Sequence, residues 1–270
     1  MTCAARHVTT PPIHCMGDSH VAFFSGRDAI TPPWPMPADD LLPWFKTYHI
    51  GAALAYNLTR TGTFAQGRER LMEILTQHVP AGATVLLSFG EIDCRAHLVK
   101  QAEQRGLPLE HVVDYCLDEY FKAVVEVAEM GFHVVVYNAL CSRSRMGTDG
   151  KRKDGGYTAY GTCRERTRAV ALFNAGAKQR CELHGMSFLE TVPYLNDRRG
   201  QPPPWYFLDR IHLSQRAMPV TLRELAKLFP ELGIDVPPIP DPTLRHRLAD
   251  WLERRGRRVR RELSKITRRS

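Results

Sequence analysis

No apolar run in the chain approaches the length of a bilayer-spanning helix, and the opening residues Met1-Thr2-Cys3-Ala4-Ala5-Arg6-His7 lack the apolar core of a secretory signal. The expectation is therefore an intracellular, cytoplasmic protein. Paired cysteines are missing too: the seven thiols (Cys3, Cys15, Cys94, Cys116, Cys141, Cys163 and Cys181) are odd in number, scattered, and contain no C-x-x-C pair. That pattern reads as reduced thiols in a cytosol, not as a disulfide framework. None of the eleven histidines forms a zinc-spaced cluster with cysteine, so neither metal nor cofactor is assigned. Net charge is absent from most of the chain as well. Residues 242–270 hold eleven of the 37 Lys/Arg and three of the 29 Asp/Glu, which accounts for the whole formal charge of +8. The remaining body is neutral, and the basic character belongs to a tail.

What is present is a chain of 270 residues with 43% hydrophobic content, enough to bury one sizeable core. Apolar runs of strand length recur at 12–16, 47–51, 84–89, 133–140 and 187–191. Between them lie stretches of helical spacing: Leu71, Leu75 and Val79; 112–130; and 166–183, where Ala169, Leu172, Phe173 and Ala177 recur at three-to-four-residue intervals. Gly82, Gly131 and Gly185 punctuate the approach to the third, fourth and fifth strands. Alternation of strand and helix predicts a parallel sheet covered on both faces. We expect a three-layer α/β/α sandwich with a five-stranded parallel sheet over 1–241, closed by a helix at 214–228 with Ser214 as its N-cap, followed by a basic tail at 242–270.

Chemistry concentrates at two places. Gly17-Asp18-Ser19-His20 follows the first strand, and Asp209-Arg210-Ile211-His212 precedes the closing helix. A serine hydroxyl is a poor nucleophile at neutral pH; it needs an imidazole to take its proton and a carboxylate to orient that imidazole. Ser19, His212 and Asp209 can fill these roles. His20, on the same turn as the serine, is not expected to point back at it. Two irregular segments flank this framework. The Pro/Trp-rich stretch 31–37 could wall a cleft or pack as a surface loop, and the Gly/Lys/Arg-rich stretch 146–161, with Lys151, Arg152, Lys153, Tyr157 and Tyr160, reads as a lid over an anionic or polyhydroxylated substrate or as a solvent-facing loop.

The ordered set formed by Gly17-Asp18-Ser19, Gly51 after the second strand, Gly90-Glu91-Ile92-Asp93 after the third, and Asp209-x-x-His212 resembles the SGNH (GDSL) hydrolases over about residues 12–230. The resemblance implies the flavodoxin-like SGNH hydrolase fold, Ser19 as nucleophile, His212 as general base and then acid, Asp209 as its orienting carboxylate, and the Ser19 and Gly51 N–H groups as oxyanion donors. The third block departs from the pattern, with Ile92 where the family has a donating asparagine. Loss of one oxyanion donor costs about two to three orders of magnitude in turnover. Arg95 is the candidate replacement, and Asp93 a further candidate of the oxyanion and substrate region; the competing reading has Asp93 holding the Ser19 turn while Arg95 neutralises it. The strings Phe89-Gly90-Glu91-Ile92-Asp93-Cys94-Arg95 and Gly51-Ala52-Ala53-Leu54-Ala55-Tyr56-Asn57-Leu58 look like an SGNH-like subgroup associated with bacterial glycan biosynthesis. The function implied is a serine esterase acting on O-acyl groups of a glycan or its precursor. An O-acyltransferase with the same triad, and a catalytically weak binding or scaffold protein, are the alternatives.

In the tail, Leu244, Leu248, Trp251, Leu252, Val259, Leu263 and Ile266 recur near helical spacing among arginines. A cationic amphipathic helix of this kind suits an anionic membrane surface or an acidic partner. Nucleic acid is not the expected partner, because no aromatics interleave with the basic residues and no recognised module is present.

Overall fold

The computed structural model describes residues 11–142, 159–197 and 201–244, and beyond these 246, 248 and 251. Five strands, β1 (Ile13–Gly17), β2 (Phe45–His49), β3 (Thr84–Ser88), β4 (His133–Tyr137) and β5 (Ser187–Leu189), form one parallel sheet in the order β2-β1-β3-β4-β5. Helices α1 (Gly67–Gln77), α2 (Leu98–Arg105), α3 (Leu109–Glu129), α4 (Cys163–Leu183), the single turn α5 (Val192–Leu195) and α6 (Met218–Leu228) complete the described chain. This is the expected three-layer α/β/α architecture.

The period-2 alternation of the strands creates the two cores. Met16, Val85, Leu87, Val134 and Val136 face one side, where Leu71, Ile74 and Leu75 of α1, Leu117, Tyr120 and Val124 of α3, and Phe173 and Ala177 of α4 cover them. Ile13, Cys15, Leu86 and Val135 face the other, beneath Phe23, Phe24 and Met218, Leu222 and Leu225 of α6. Among the described residues no helix is long and apolar enough to cross a membrane.

Element boundaries depart from the sequence reading where side chains or close contacts intervene. β2 begins and ends two residues earlier than expected, because Gly51 adopts φ +109° and leaves the extended conformation. β4 stops at Tyr137, since the Asn174 side chain takes over both backbone groups of Ala139, accepting from its N–H at 2.8 Å and donating to its carbonyl at 2.9 Å. α4 starts at Cys163 behind a capping box in which Thr162 and Glu165 satisfy each other's backbone N–H. Ser214 makes no side-chain cap; a 3₁₀ turn (Gln215–Ala217) follows it, and α6 begins only at Met218. The sequence reading has no counterpart for α2, nor for the π-helical turn Asp93–His97 that leads into it. Reversal of strand order on either side of β1 opens a crevice at the carboxyl ends of β1 and β3, the place where open α/β sheets bind ligands.

Candidate active site

Glycine at 17 is required by packing: a Cβ there would lie 2.2 Å from the Ser88 carbonyl oxygen, so only a residue without a side chain lets β1 approach the end of β3. The Asp18 N–H then donates to the same Ser88 oxygen at 3.2 Å, and the Asp18 carboxylate caps the next turn by accepting from the His20 N–H at 2.9 Å. That turn is a 3₁₀ helix (Ser19–Ser25) ended by Gly26 in the left-handed region. Ser19 is its first residue, lifted to the mouth of the crevice. Asp18 itself is buried, and burial pushes its carboxyl up to about 6 against the opposing charge of His20.

Ser19 Oγ lies 2.8 Å from His212 Nε2, and His212 Nδ1 lies 2.8 Å from Asp209 Oδ2. The other oxygen of Asp209 accepts from the N–H groups of Ile211 and His212, each at 2.9 Å. An antiparallel bridge between Phe207 and Leu213, with Leu208 N–H donating to the His212 carbonyl at 2.9 Å, closes the loop that carries both residues. Burial works to raise the Asp209 carboxyl, but the hydrogen bonds from the His212 ring and backbone outweigh it and hold the group well below the usual carboxylate range. A permanent anion on Nδ1 selects the tautomer whose Nε2 accepts a proton from the serine.

Gly51 enters this site through backbone contact. Ile50 N–H donates to the Gly17 carbonyl at 2.8 Å, which sets Gly51 beside the residue that opens the serine turn. Neither the Ser19 nor the Gly51 N–H has a hydrogen-bond acceptor among the described residues. Ile92 is buried at 3% exposure and carries no donor.

Asp93 and Arg95 take other partners than the sequence suggests. Asp93 does not hold the Ser19 turn, and Arg95 is not its counter-ion. The Asp93 carboxylate accepts from the N–H groups of Ala55 at 2.9 Å and Tyr56 at 3.3 Å, fastening the loop after β2 to the π-helical turn. Its burial pushes it up to about 6 against those same hydrogen bonds. Arg95 Nε donates to both oxygens of Glu91, at 2.8 and 3.0 Å, one turn back along the chain. A carboxylate offers no donor to an oxyanion, and the Arg95 guanidinium is drawn to the buried Glu91 through its Nε–H. Asp93 and His97 instead line a cavity of about 280 Å³ with Tyr56, Leu98, Arg105 and Tyr115.

His20 is the residue whose place the sequence reading least anticipates. It does not face Ser19; its ring packs on that of His212, with centroids 4.9 Å apart, while its Nε2 lies 3.2 Å from Glu91 Oε2, an ion-pair contact off the hydrogen-bond line. Burial alone would strip the proton from His20, yet the Glu91 and Asp18 charges raise its pKa above the ordinary value. Burial would also protonate Glu91; His20 and Arg95 lower it instead to about 2. The Glu91 carboxylate, held between the Arg95 guanidinium and the His20 ring, thus lies behind the imidazole on Ser19. A polar residue next to each motif serine and glycine was the only sequence signal of it.

Trp34 packs edge-on against Tyr48 and His78, with centroids 5.7 and 4.7 Å away, so the Pro/Trp-rich stretch lies over edge strand β2 and the end of α1. Of the stretch 146–161, residues 146–158 lie outside the described residues; Tyr160 donates from its N–H to the Arg95 carbonyl at 2.9 Å. In the tail, Leu244, Leu248 and Trp251 are exposed and the His246 ring lies 6.3 Å from that of Trp205, while 252–270 fall outside the described residues.

No protein-family model and no curated protein sequence matches the chain. Solved structures do. An acetyl-xylooligosaccharide esterase from Geobacillus shares 16% identity at a TM-score of 0.51, over 84% of this chain and 96% of that one. A second structure of that same enzyme, a catalytic mutant named as an acetylxylan esterase from Geobacillus stearothermophilus, shares 14% identity at a TM-score of 0.50, over 87% and 98%. A phospholipase A1 from Streptomyces albidoflavus shares 15% identity at a TM-score of 0.42, over 80% and 98%. The fold of the chain is that of SGNH hydrolases.

Proposed function

We propose that this chain is a serine esterase that removes O-acyl groups from a glycan or glycan precursor through an acyl-enzyme on Ser19. The observation that carries the reading is the relay Ser19–His212–Asp209, with both links at 2.8 Å on loops at the carboxyl end of the sheet. In the first half-reaction the Ser19 oxygen bonds to the ester carbonyl carbon, its proton passes to His212 Nε2, and the carbonyl electron pair moves to oxygen. Collapse breaks the bond to the alcohol, which leaves with the proton from His212. Water then repeats the sequence on the acyl-enzyme and releases the carboxylic acid and free Ser19. A sugar hydroxyl in place of that water gives acyl transfer by the same steps.

The open N–H groups of Ser19 and Gly51 supply the donors such chemistry needs, since developing charge on the carbonyl oxygen is stabilised most by donors fixed in advance. One carbohydrate esterase of the same fold, named in its two structures for acetylated xylan or xylo-oligosaccharide, supports a carbohydrate ester as the substrate class. Residues 242–270, with eleven basic residues, are proposed to draw the enzyme to an anionic surface such as the inner face of a membrane, or to an acidic partner.

The test is labelling with a fluorophosphonate read by intact mass, together with acetate release from acetylated xylo-oligosaccharides. One adduct is expected on the wild type and none on Ser19→Ala or His212→Ala, with acetate release lost in both variants. A folded wild type that takes no adduct removes the esterase reading.

A further inference from the structure

Arg70 is bound to the strand-end loop at the residue before Gly51, and its charge has no carboxylate to answer it among the described residues. It sits in the first turns of α1, and its Nη1 donates to the Ile50 carbonyl at 2.7 Å. The same Nη1 lies 3.2 Å from where a Cβ on Gly51 would be, so the guanidinium rests against the open side of that glycine. Ile50 is in turn bonded to Gly17, two residues before the serine. Nearby arginines are held differently: Arg68 is bidentate on Glu126, Arg95 is bonded to Glu91, and Arg60 donates to the Tyr56 hydroxyl at 2.8 Å. For Arg70 the Ile50 carbonyl is the sole side-chain hydrogen bond, which leaves most of the five donors of a guanidinium open on a half-buried group.

From this geometry we propose that Arg70 is a catalytic residue, the side-chain donor to the oxyanion formed at Ser19. The inference rests on the esterase reading and adds to it the charge that the backbone N–H groups of Ser19 and Gly51 lack. When the carbonyl electron pair moves onto oxygen, a full negative charge forms beside a cation that is already in place, anchored through Ile50 and carried by a helix. A glycine at 51 is then needed twice. Its φ of +109° suits glycine, and a Cβ there would lie 3.2 Å from Arg70 Nη1, a contact tight enough that the guanidinium would have to shift slightly. The arginine also explains how a site with Ile92 in its third block can work. The expected replacement, Arg95, is paired with the buried Glu91, whereas Arg70 comes from a different element, is paired with no carboxylate among the described residues and lies on the β2 side. His49 reports the resulting positive field: burial lowers its pKa first, the Thr31 carbonyl opposes this, and His212, Arg70 and His20 lower it further.

The experiment uses the full chain with the uncharged ester p-nitrophenyl acetate, comparing the wild type with Arg70→Met, Arg70→Lys and Arg70→Ala. Arg70→Met keeps an apolar stem and is expected to lower kcat by about two to three orders of magnitude with KM within about twofold, the signature of an interaction made in the transition state. Arg70→Lys should retain part of the rate, and millimolar ethylguanidine should restore part of it to Arg70→Ala, which a packing role would not allow. If Arg70→Met fails to fold, the lysine variant and the rescue decide. An unchanged kcat, or a loss seen only as a raised KM for esters bearing a carboxylate, overturns the proposal; the latter would make Arg70 a reader of substrate charge. Fluorophosphonate separates the two readings: a wild type unlabelled at Ser19 removes both, while labelling of Ser19 with full activity in Arg70→Met removes only the role of Arg70.

Discussion

Glu91 is 2% exposed and is approached by two side chains from different parts of the chain, the His20 ring at 3.2 Å and the Arg95 guanidinium at 2.8 Å. A buried ion is costly unless its partners repay the lost hydration, and removing one partner leaves the others uncompensated. The pH consequence follows from the direction of each shift. Glu91 titrates near 2 in the fold against an ordinary 4.5, so its contribution to stability is fully present above about pH 4.5 and is lost as the pH falls through 2. His20 is shifted upward, so its contribution is present below its ordinary value of 6.5 and is lost as the pH climbs through the raised one. Glu91→Gln is therefore expected to be less stable than the wild type in urea unfolding at pH 5 to 6, with the difference shrinking at pH 3. A difference that stays constant across this range would mean that Glu91 acts by shape alone. Because His20 packs on His212, the same variant should also disturb the His212 ring. The union of these three groups was not legible in sequence, since it requires the serine turn and the π-helical turn to meet.

At the scale of elements, the loop after β2 positions Gly51 and is held by a residue from another segment. Asp93 accepts two of its backbone N–H groups, and Cys116 of α3 approaches the same carboxylate at 3.8 Å. Asp93→Ala would leave the N–H of Ala55, on a buried residue, unsatisfied, at a cost of about 2 kcal/mol or more. Asp93→Asn keeps an acceptor oxygen and should lose less. Urea unfolding of both variants checks the order, and equal losses would show that the negative charge, not the acceptor geometry, holds the loop. The elements most legible in sequence were the strands with β-branched alternation and the long helices α3 and α4, whose apolar spacing runs over several turns. Their ends were not legible, because Asn174 and Gly51 set them through tertiary contacts and a special backbone angle. α2 escaped for a related reason: it follows an irregular π-helical turn and buries only Leu98 and Val99, which gives too short an apolar period to register.

For the whole molecule, charge is divided between a neutral body and a basic terminus, and the two should behave separately. Attraction to an anionic leaflet is worth about 1 kcal/mol for each basic residue near the surface and is screened by salt. The full chain is expected to co-sediment with vesicles containing phosphatidylserine and not with phosphatidylcholine alone, and to be released by high salt; replacing Arg254, Arg255, Arg257 and Arg258 with glutamine should abolish the binding while leaving fluorophosphonate labelling intact. Equal binding to both vesicle types would assign the attraction to the apolar residues of the tail. By itself, the order of residues determined the α/β layering and singled out Ser19, Asp209 and His212 as candidates, because strand and helix periods and short strand-end motifs are local properties of a chain. Only the tertiary structure decided what surrounds the serine. The partners of Glu91, the redirection of Asp93 and Arg95, and the arrival of Arg70 at Gly51 all join segments far apart in sequence, and such contacts exist only once the sheet has brought the ends of its strands together.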